Sequence, residues 1–159
     1  MILSDSSITE QLGNGGQIDC QPFPGDEQIQ PASLDVRLGR EMYHFDFDRS
    51  IEREEHKLIP GKRYLGHTKE TIGLPNDIAA QLAGRSSIGR QGVIVHKTAG
   101  WIDPGFEGDI TLELMNFGSE PVDLQAGERI AQLVFFKLDY PSEGYDGSYQ
   151  NQSGPTQTQ

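Results

Sequence analysis

Chemistry is densest between Gly84 and Asn116. Arg85 and Arg90 bracket the hydroxyl pair Ser86-Ser87, and Ile88 and Gly89 complete a short turn. Serine hydroxyls and backbone N–H groups at the head of such a turn form an anion nest, to which arginine forks add charge-assisted hydrogen bonds. The pattern suits a phosphate; it equally suits a surface turn with two solvated arginines. Two acids follow. Asp103 opens Asp103-Pro104-Gly105, where an aspartate commonly caps the turn itself. Glu113 lies in a run that sets Ile110, Leu112 and Leu114 against Asp109, Thr111 and Glu113. Alternation of period two makes this a strand, so Glu113 faces either solvent or a cleft. Glutamate is a poor strand former, which counts slightly for the cleft. Cations and hydroxyls for phosphates, with acids nearby to activate water, read together as a nucleotide site.

Other chemistries fit less well. His96 ends an apolar run and has two readings, general base or structural histidine. His44, His56 and His67 fall in separate segments, and there is no Cys-x-x-Cys. A zinc site of the usual nucleobase-deaminase type lacks its ligands. Neither a P-loop nor a dinucleotide fingerprint is present.

The elements that must position these residues are short. Ser4 to Leu12 predicts a helix of two to three turns; several N-caps are available, and Ser7 with Glu10 has capping-box spacing. Asn14-Gly15-Gly16 is expected to end it. Leu34, Val36 and Leu38 alternate with Asp35 and Arg37, which predicts a half-buried strand. Asp46 to Lys57 is highly charged and reads as an exposed hairpin or loop. Tyr64 to Thr68 and Thr71 to Leu74 read as two short strands, and Val93-Ile94-Val95 as a buried one. Ile130 to Leu138 is apolar on both faces and should be central in its sheet. Ser142 to Gln159 is polar and aperiodic, a tail ordered only where it lands on something.

A chain of 159 residues reads as one domain. Its 19 glycines and 9 prolines favour many short strands, as in a β-barrel or jelly-roll-like sandwich. The formal charge of −11 argues against nucleic-acid binding through a broad basic face. Local arginines can still bind a small anion, because distant charges are screened over about 8–10 Å. A single cysteine excludes an intrachain disulfide framework and fits a cytoplasmic setting. No signal peptide and no membrane span are expected.

Five segments in register resemble the deoxycytidine triphosphate deaminase branch of the dUTPase superfamily. They are Gln30 to Gly39, Gly84 to Arg90, Thr98 to Phe106, Ile110 to Glu113, and Tyr149 to Gly154. The resemblance implies a homotrimer of distorted β-barrel, jelly-roll-like (β-clip) subunits with a short N-terminal helix. Active sites would lie between subunits, with residues 142–159 as a lid. It implies that Arg85, Ser86, Ser87 and Arg90, with the intervening Ile88 and Gly89, hold the triphosphate, Arg90 alternatively holding a catalytic water. Thr111, Leu112 and Glu113 would lie beneath the base, with Glu113 catalytic. Asp103 would contact the sugar 3′-hydroxyl and order an attacking water, while Gln132, Tyr145 and Gln152 would touch the nucleotide. Gly100-Trp101 matches members that also cleave dUTP to dUMP and pyrophosphate, where deaminases that release dUTP carry a bulky His-Arg pair. Ser148 stands where many members have a lysine. The implied activity is zinc-independent conversion of dCTP to dUTP and ammonia, continuing to dUMP with Mg²⁺ carried on the phosphates. The alternatives are a dUTP diphosphatase alone, a deaminase alone, or a non-catalytic trimeric β module.

Overall fold

The computed structural model describes residues 1–158. Helix α1 (Asp5–Leu12) begins where the Ser4 hydroxyl accepts the Ser7 N–H at 3.4 Å. The cap is thus Ser4, and the Ser7–Glu10 box is not used. Ile8 and Leu12, one turn apart, bury the same face. Gly13 closes the helix, one residue before Asn14-Gly15-Gly16.

The rest is strands: β1 (Asp19–Gln21), β2 (Ile29–Gln30), β3 (Ser33–Arg37), β4 (Glu41–His44), β5 (Arg49–Glu52), β6 (Glu55–Leu58) and β7 (Arg63–Gly73). Then come β8 (Ile78–Gly84), the single turn α2 (Ser86–Gly89), β9 (Val93–Ile94), β10 (Trp101–Ile102), β11 (Glu107–Asn116), β12 (Val122–Gln125) and β13 (Arg129–Lys137). One sheet runs β5-β4-β7-β11-β9, with β1 also on β7; a second runs β10-β8-β13-β3-β2; β6 and β12 form a ribbon. The two sheets share one core, to which Leu34, Leu82, Leu133 and Phe135 come from one and Ile72, Leu112 and Leu114 from the other. This is the all-β, jelly-roll-like class read from the sequence, built as two sheets with no closed barrel among the described residues. No described helix is long and apolar enough to cross a membrane.

Several local expectations change. β3 is buried on both faces from Ser33 to Val36, because it lies between β13 and β2. Asp35 is only 2% exposed, its charge met by Arg85 and Arg129. Residues 64–74 form one long strand through Gly73 where two were expected. Lys69-Glu70 looked like a break, yet Glu70 is fully buried, bonded by Arg37 at 2.5 Å and Gln28 at 3.1 Å. The buried Val93–Val95 run pairs over only two residues. The charged 46–57 segment gives β5 and β6, and β6 buries His56 and Leu58 beside the distant β12. β13 is central, as expected, between β8 and β3.

Candidate active site

The site is built on β11, whose alternation assigns its side chains. Leu112 and Leu114 are fully buried in the core, while Thr111 and Glu113 turn to the opposite face and line a cavity of about 580 Å³. That volume falls in the range of small-molecule sites. Leu112, expected beneath a base, therefore has only backbone to offer there.

The Glu113 carboxylate is held at one oxygen. Its Oε2 accepts the Lys97 backbone N–H at 2.8 Å. Its cross-strand partner Leu65 also lines the cavity. The opposite strap is residues 99–106. Gly100 is buried, and its carbonyl accepts the Leu82 N–H at 2.7 Å. A Cβ there would lie 2.9 Å from His96 Cε1 and 3.0 Å from the Leu82 carbonyl oxygen, so a side chain does not fit without movement. Trp101 follows, 56% exposed, its ring 5.5 Å from that of Phe136. Its indole N–H donates to Asp103 Oδ1 at 3.1 Å. The Asp103 carbonyl closes the turn by accepting the Phe106 N–H at 3.2 Å. Its carboxylate is thus not spent on capping and lies on the cavity wall with Glu113 and Trp101.

The tail covers this cavity. Tyr145 donates its N–H to the Pro104 carbonyl at 2.7 Å and packs its ring against Phe106. Gln152 bridges to Gly108 beside β11; its carbonyl accepts the Asp109 N–H at 3.0 Å, and its side-chain amide donates to the Asp109 carbonyl at 2.6 Å. Gly108, at φ +149°, would press a Cβ to 2.9 Å from the Gln152 carbonyl, so the tail lies where only glycine lets it. Further along, the Gly154 N–H donates to Asp109 Oδ2 at 3.1 Å, and the Thr156 N–H to Thr111 Oγ1 at 3.3 Å. Asp109 Oδ1 also accepts the Thr71 hydroxyl at 2.7 Å, and His67 Nδ1 stands 3.3 Å from Oδ2. Burial pushes the Asp109 carboxyl upward, but His67, Thr71 and the Gly154 N–H together hold it below its ordinary value.

The arginine-serine turn stands elsewhere. Ile88 is buried and anchors α2, while Ser86, Ser87, Gly89 and Arg90 are exposed. Arg85 Nε lies 3.0 Å from Asp35 Oδ2, and its Nη1 donates to the Arg129 carbonyl at 2.9 Å. Gln132 accepts the Ser33 hydroxyl at 3.0 Å and donates to the Gly84 carbonyl at 3.2 Å. None of Arg85, Ser86, Ser87, Arg90 and Gln132 lines the cavity. One chain thus presents two separate patches, with Glu113, Asp103, Thr111, Trp101, Tyr145 and Gln152 in one and the turn with Gln132 in the other.

Sequence reasoning passed over three residues of the site. Arg63, with its guanidinium carbon 3.9 Å from the Phe45 ring centroid, is the one cation on the cavity wall among the described residues. Both belong to segments that reach the cavity only through the β4-β7-β11 pairing, which no local pattern announces. Asp109 was visible only as one more polar position of an alternating strand.

Comparison with known proteins bears on the family and the fold. Residues 2–138 match the family model described as dCTP deaminase-like. A protein of Beutenbergia cavernae named dCTP deaminase, dUMP-forming, is 44% identical, over 98% of this chain and 93% of that protein. One of Natronomonas pharaonis named dCTP deaminase is 42% identical, over 98% and 92%. Among solved structures, the 2′-deoxycytidine 5′-triphosphate deaminase of Agrobacterium tumefaciens superposes with a TM-score of 0.73 at 24% identity, over 84% of this chain and 47% of that one, a likeness of fold. The chain therefore belongs to the dCTP deaminase-like family.

Proposed function

We propose that this chain hydrolyses dCTP to dUTP and ammonia and then cleaves dUTP to dUMP and pyrophosphate. The observation that carries the reading is the meeting of Glu113 and Asp103 on one cavity, Glu113 with one oxygen already fixed by the Lys97 N–H. In the first reaction Glu113 takes a proton from water as the oxygen adds to C4 of the cytosine. The proton passes to ring nitrogen; Glu113 then takes the proton of the new C4 hydroxyl and hands it to the exocyclic amine, which leaves as ammonia as the C4 carbonyl forms and the C4–N bond breaks. Acid–base catalysis of this kind is typically worth about 10²–10⁴-fold. In the second, Asp103 orders a water toward the α-phosphate and receives its proton, with pyrophosphate as leaving group. The narrow Gly100-Trp101 strap supports this step, since it leaves Asp103 beside the cavity.

The described residues hold no cluster of three or more His, Cys, Asp or Glu side chains able to cage a metal. Mg²⁺ would arrive bound to the triphosphate and would supply charge neutralisation there, with the arginine-serine turn contacting the phosphates and not the ion. Arg85, Ser86, Ser87 and Arg90 bind the phosphates, and because they lie apart from their own cavity they serve the cavity of a neighbouring copy. A homotrimer with sites between subunits accounts for this division. The outer face of the β10-β8-β13 sheet supports it: Trp101, Gln81 and Val134 stand in one cross-strand row, exposed or half-exposed, with Phe136 beside them.

The test is product analysis from dCTP with Mg²⁺. Wild type yields ammonia and pyrophosphate in step; accumulation of dUTP without pyrophosphate would leave a deaminase alone. Glu113→Gln abolishes ammonia release while nucleotide binding stays measurable, and near-normal turnover in that variant rules out the role of Glu113.

A further inference from the structure

Asp35 has no place in the reaction above, yet it is the most deeply buried acid near the arginine-serine turn. Its Oδ2 lies 3.0 Å from Arg85 Nε and 3.3 Å from Arg129 Nη1. Arg85 is fixed a second time through Nη1 to the Arg129 carbonyl. Arg129 is in turn tied down, donating to the Glu27 carbonyl at 2.6 Å. Two of the three Arg85 guanidinium nitrogens are thus tied to the protein. Nη2 carries no hydrogen bond among the described residues, and the side chain is 25% exposed.

We propose that Asp35 is a positioning residue for phosphate recognition, holding Arg85 at Nε so that its free Nη2 meets the triphosphate in a preset orientation. The inference rests on the reading of Arg85 as a phosphate contact. Packing alone does not call for a carboxylate here, because apolar residues of similar volume often replace buried ion pairs at no loss of stability. What a carboxylate adds is orientation. A planar guanidinium fixed at two of its N–H groups keeps little freedom to lose when the anion arrives. Charge permits it as well: two guanidiniums against one carboxylate leave the cluster net positive, and the carboxylate sits on the side away from solvent. Burial pushes Asp35 above its ordinary value, against the opposing pull of Arg85 and Arg129. Register places Asp35 opposite Gln132 on β13, and Gln132 opposite Ala83 on β8. Clamp, turn and Gln132 therefore share one sheet face.

The experiment uses Asp35→Asn, Arg85→Ala, the double variant and Arg85→Lys in the full chain. Dissociation constants of α,β-imido-dUTP and dUMP are measured by calorimetry, alongside kcat and KM for dCTP. Misplacing a binding group by about 1 Å can cost up to roughly a hundredfold. Asp35→Asn is expected to weaken α,β-imido-dUTP by at least about tenfold. It should leave dUMP within about threefold, and raise KM with little change in kcat. In the Arg85→Ala background it should add nothing to the triphosphate-over-monophosphate ratio. Arg85→Lys, which keeps the charge but not the fork, should lose most of that ratio. If Arg85→Ala leaves the ratio unchanged, the phosphate reading of the turn falls, and the clamp with it. If Arg85→Ala lowers the ratio but Asp35→Asn does not, or lowers it equally with and without Arg85, the clamp alone is refuted. Should Asp35→Asn fail to fold, a wild-type ratio in Arg85→Lys refutes it equally.

Discussion

Asp109 joins strand β11 to the tail, and removing its side chain tests whether the tail is held as drawn. In Asp109→Ala the Gly154 N–H loses a charged acceptor at 3.1 Å, and the Thr71 hydroxyl loses one at 2.7 Å. The backbone links of Asp109 and Glu107 to Gln152 and Asn151 survive the substitution. Of the bonds made by the Asp109 side chain, only that to Gly154 reaches the tail, so the change in tail closure is that of one charge-assisted hydrogen bond. Such a bond is worth about 1.5–3 kcal/mol. At about 1.4 kcal/mol per factor of ten, the open fraction rises by roughly 10- to 150-fold. Hydrogen exchange reads this directly at the Gly154 and Thr156 amides, with β13 amides as an internal reference. Thr71→Val is the control, since it removes a second partner of the carboxylate, His67 being the third, and leaves the tail bond in place. KM for dCTP should rise in Asp109→Ala if the lid contributes to binding. The reasoning is refuted if tail exchange stays within about twofold of wild type, or if β13 exchange accelerates by the same factor.

Other outcomes follow from the same geometry. The Asp109 carboxyl is held below its ordinary value of 3.8, so its contribution to closure is complete above that value and is lost as pH falls through the lowered one; tail protection should be flat from neutral pH down to about 4 and fall only below it, and a drop centred between pH 6 and 7 would assign the latch to another group. Gly100→Ala places a Cβ 2.9 Å from His96 and 3.0 Å from the Leu82 carbonyl, an overpacking of the kind that costs about 1–3 kcal/mol; thermal unfolding should shift down, and an unchanged midpoint would mean the strap yields freely. Val134→Asp puts a charge in the half-exposed row between Gln81 and Trp101; sedimentation should show monomers with deaminase activity lost, whereas an active trimer would move the interface to another face.

The parts of the site that a local pattern encodes were legible. Alternation along β11 sent Leu112 and Leu114 to the core and Thr111 and Glu113 to the other face, because a strand offers only two directions. Double-sided hydrophobicity placed β13 at a sheet centre for the same reason. What escaped was decided by partners far along the chain. Asp35 read as a solvent-facing residue because its arginines come from the turn after β8 and the start of β13. Lys69-Glu70 read as a strand break because the groups that neutralise Glu70 lie in β3 and the turn before β2. The tail read correctly as polar, but its landing place depends on backbone hydrogen bonds to Gly105, Glu107 and Asp109, which carry no compositional signature. Closeness in the chain and shared chemistry group Asp103 with Glu113, and the family resemblance gives each its role; their spacing across a turn does not by itself imply a common cavity.

Electrostatics explains why such a site is divided. The cavity wall carries Glu113 and Asp103 against one cation, Arg63, in a chain of net charge −11. A nucleotide brings several more negative charges, which a low-dielectric cleft of this composition would repel. Hydrolysis needs the carboxylates, so the countercharge has to arrive from outside the cleft. The described chain keeps it on the turn after β8, where Arg90 is exposed and Arg85 partly so. Bringing that turn against a neighbour's cavity lets one copy supply acids and the next supply cations, and neither cluster has to be buried unpaired in the separate chain. In the proposed homotrimer the cost of burying charge would then be met only where nucleotide and neighbour are both present.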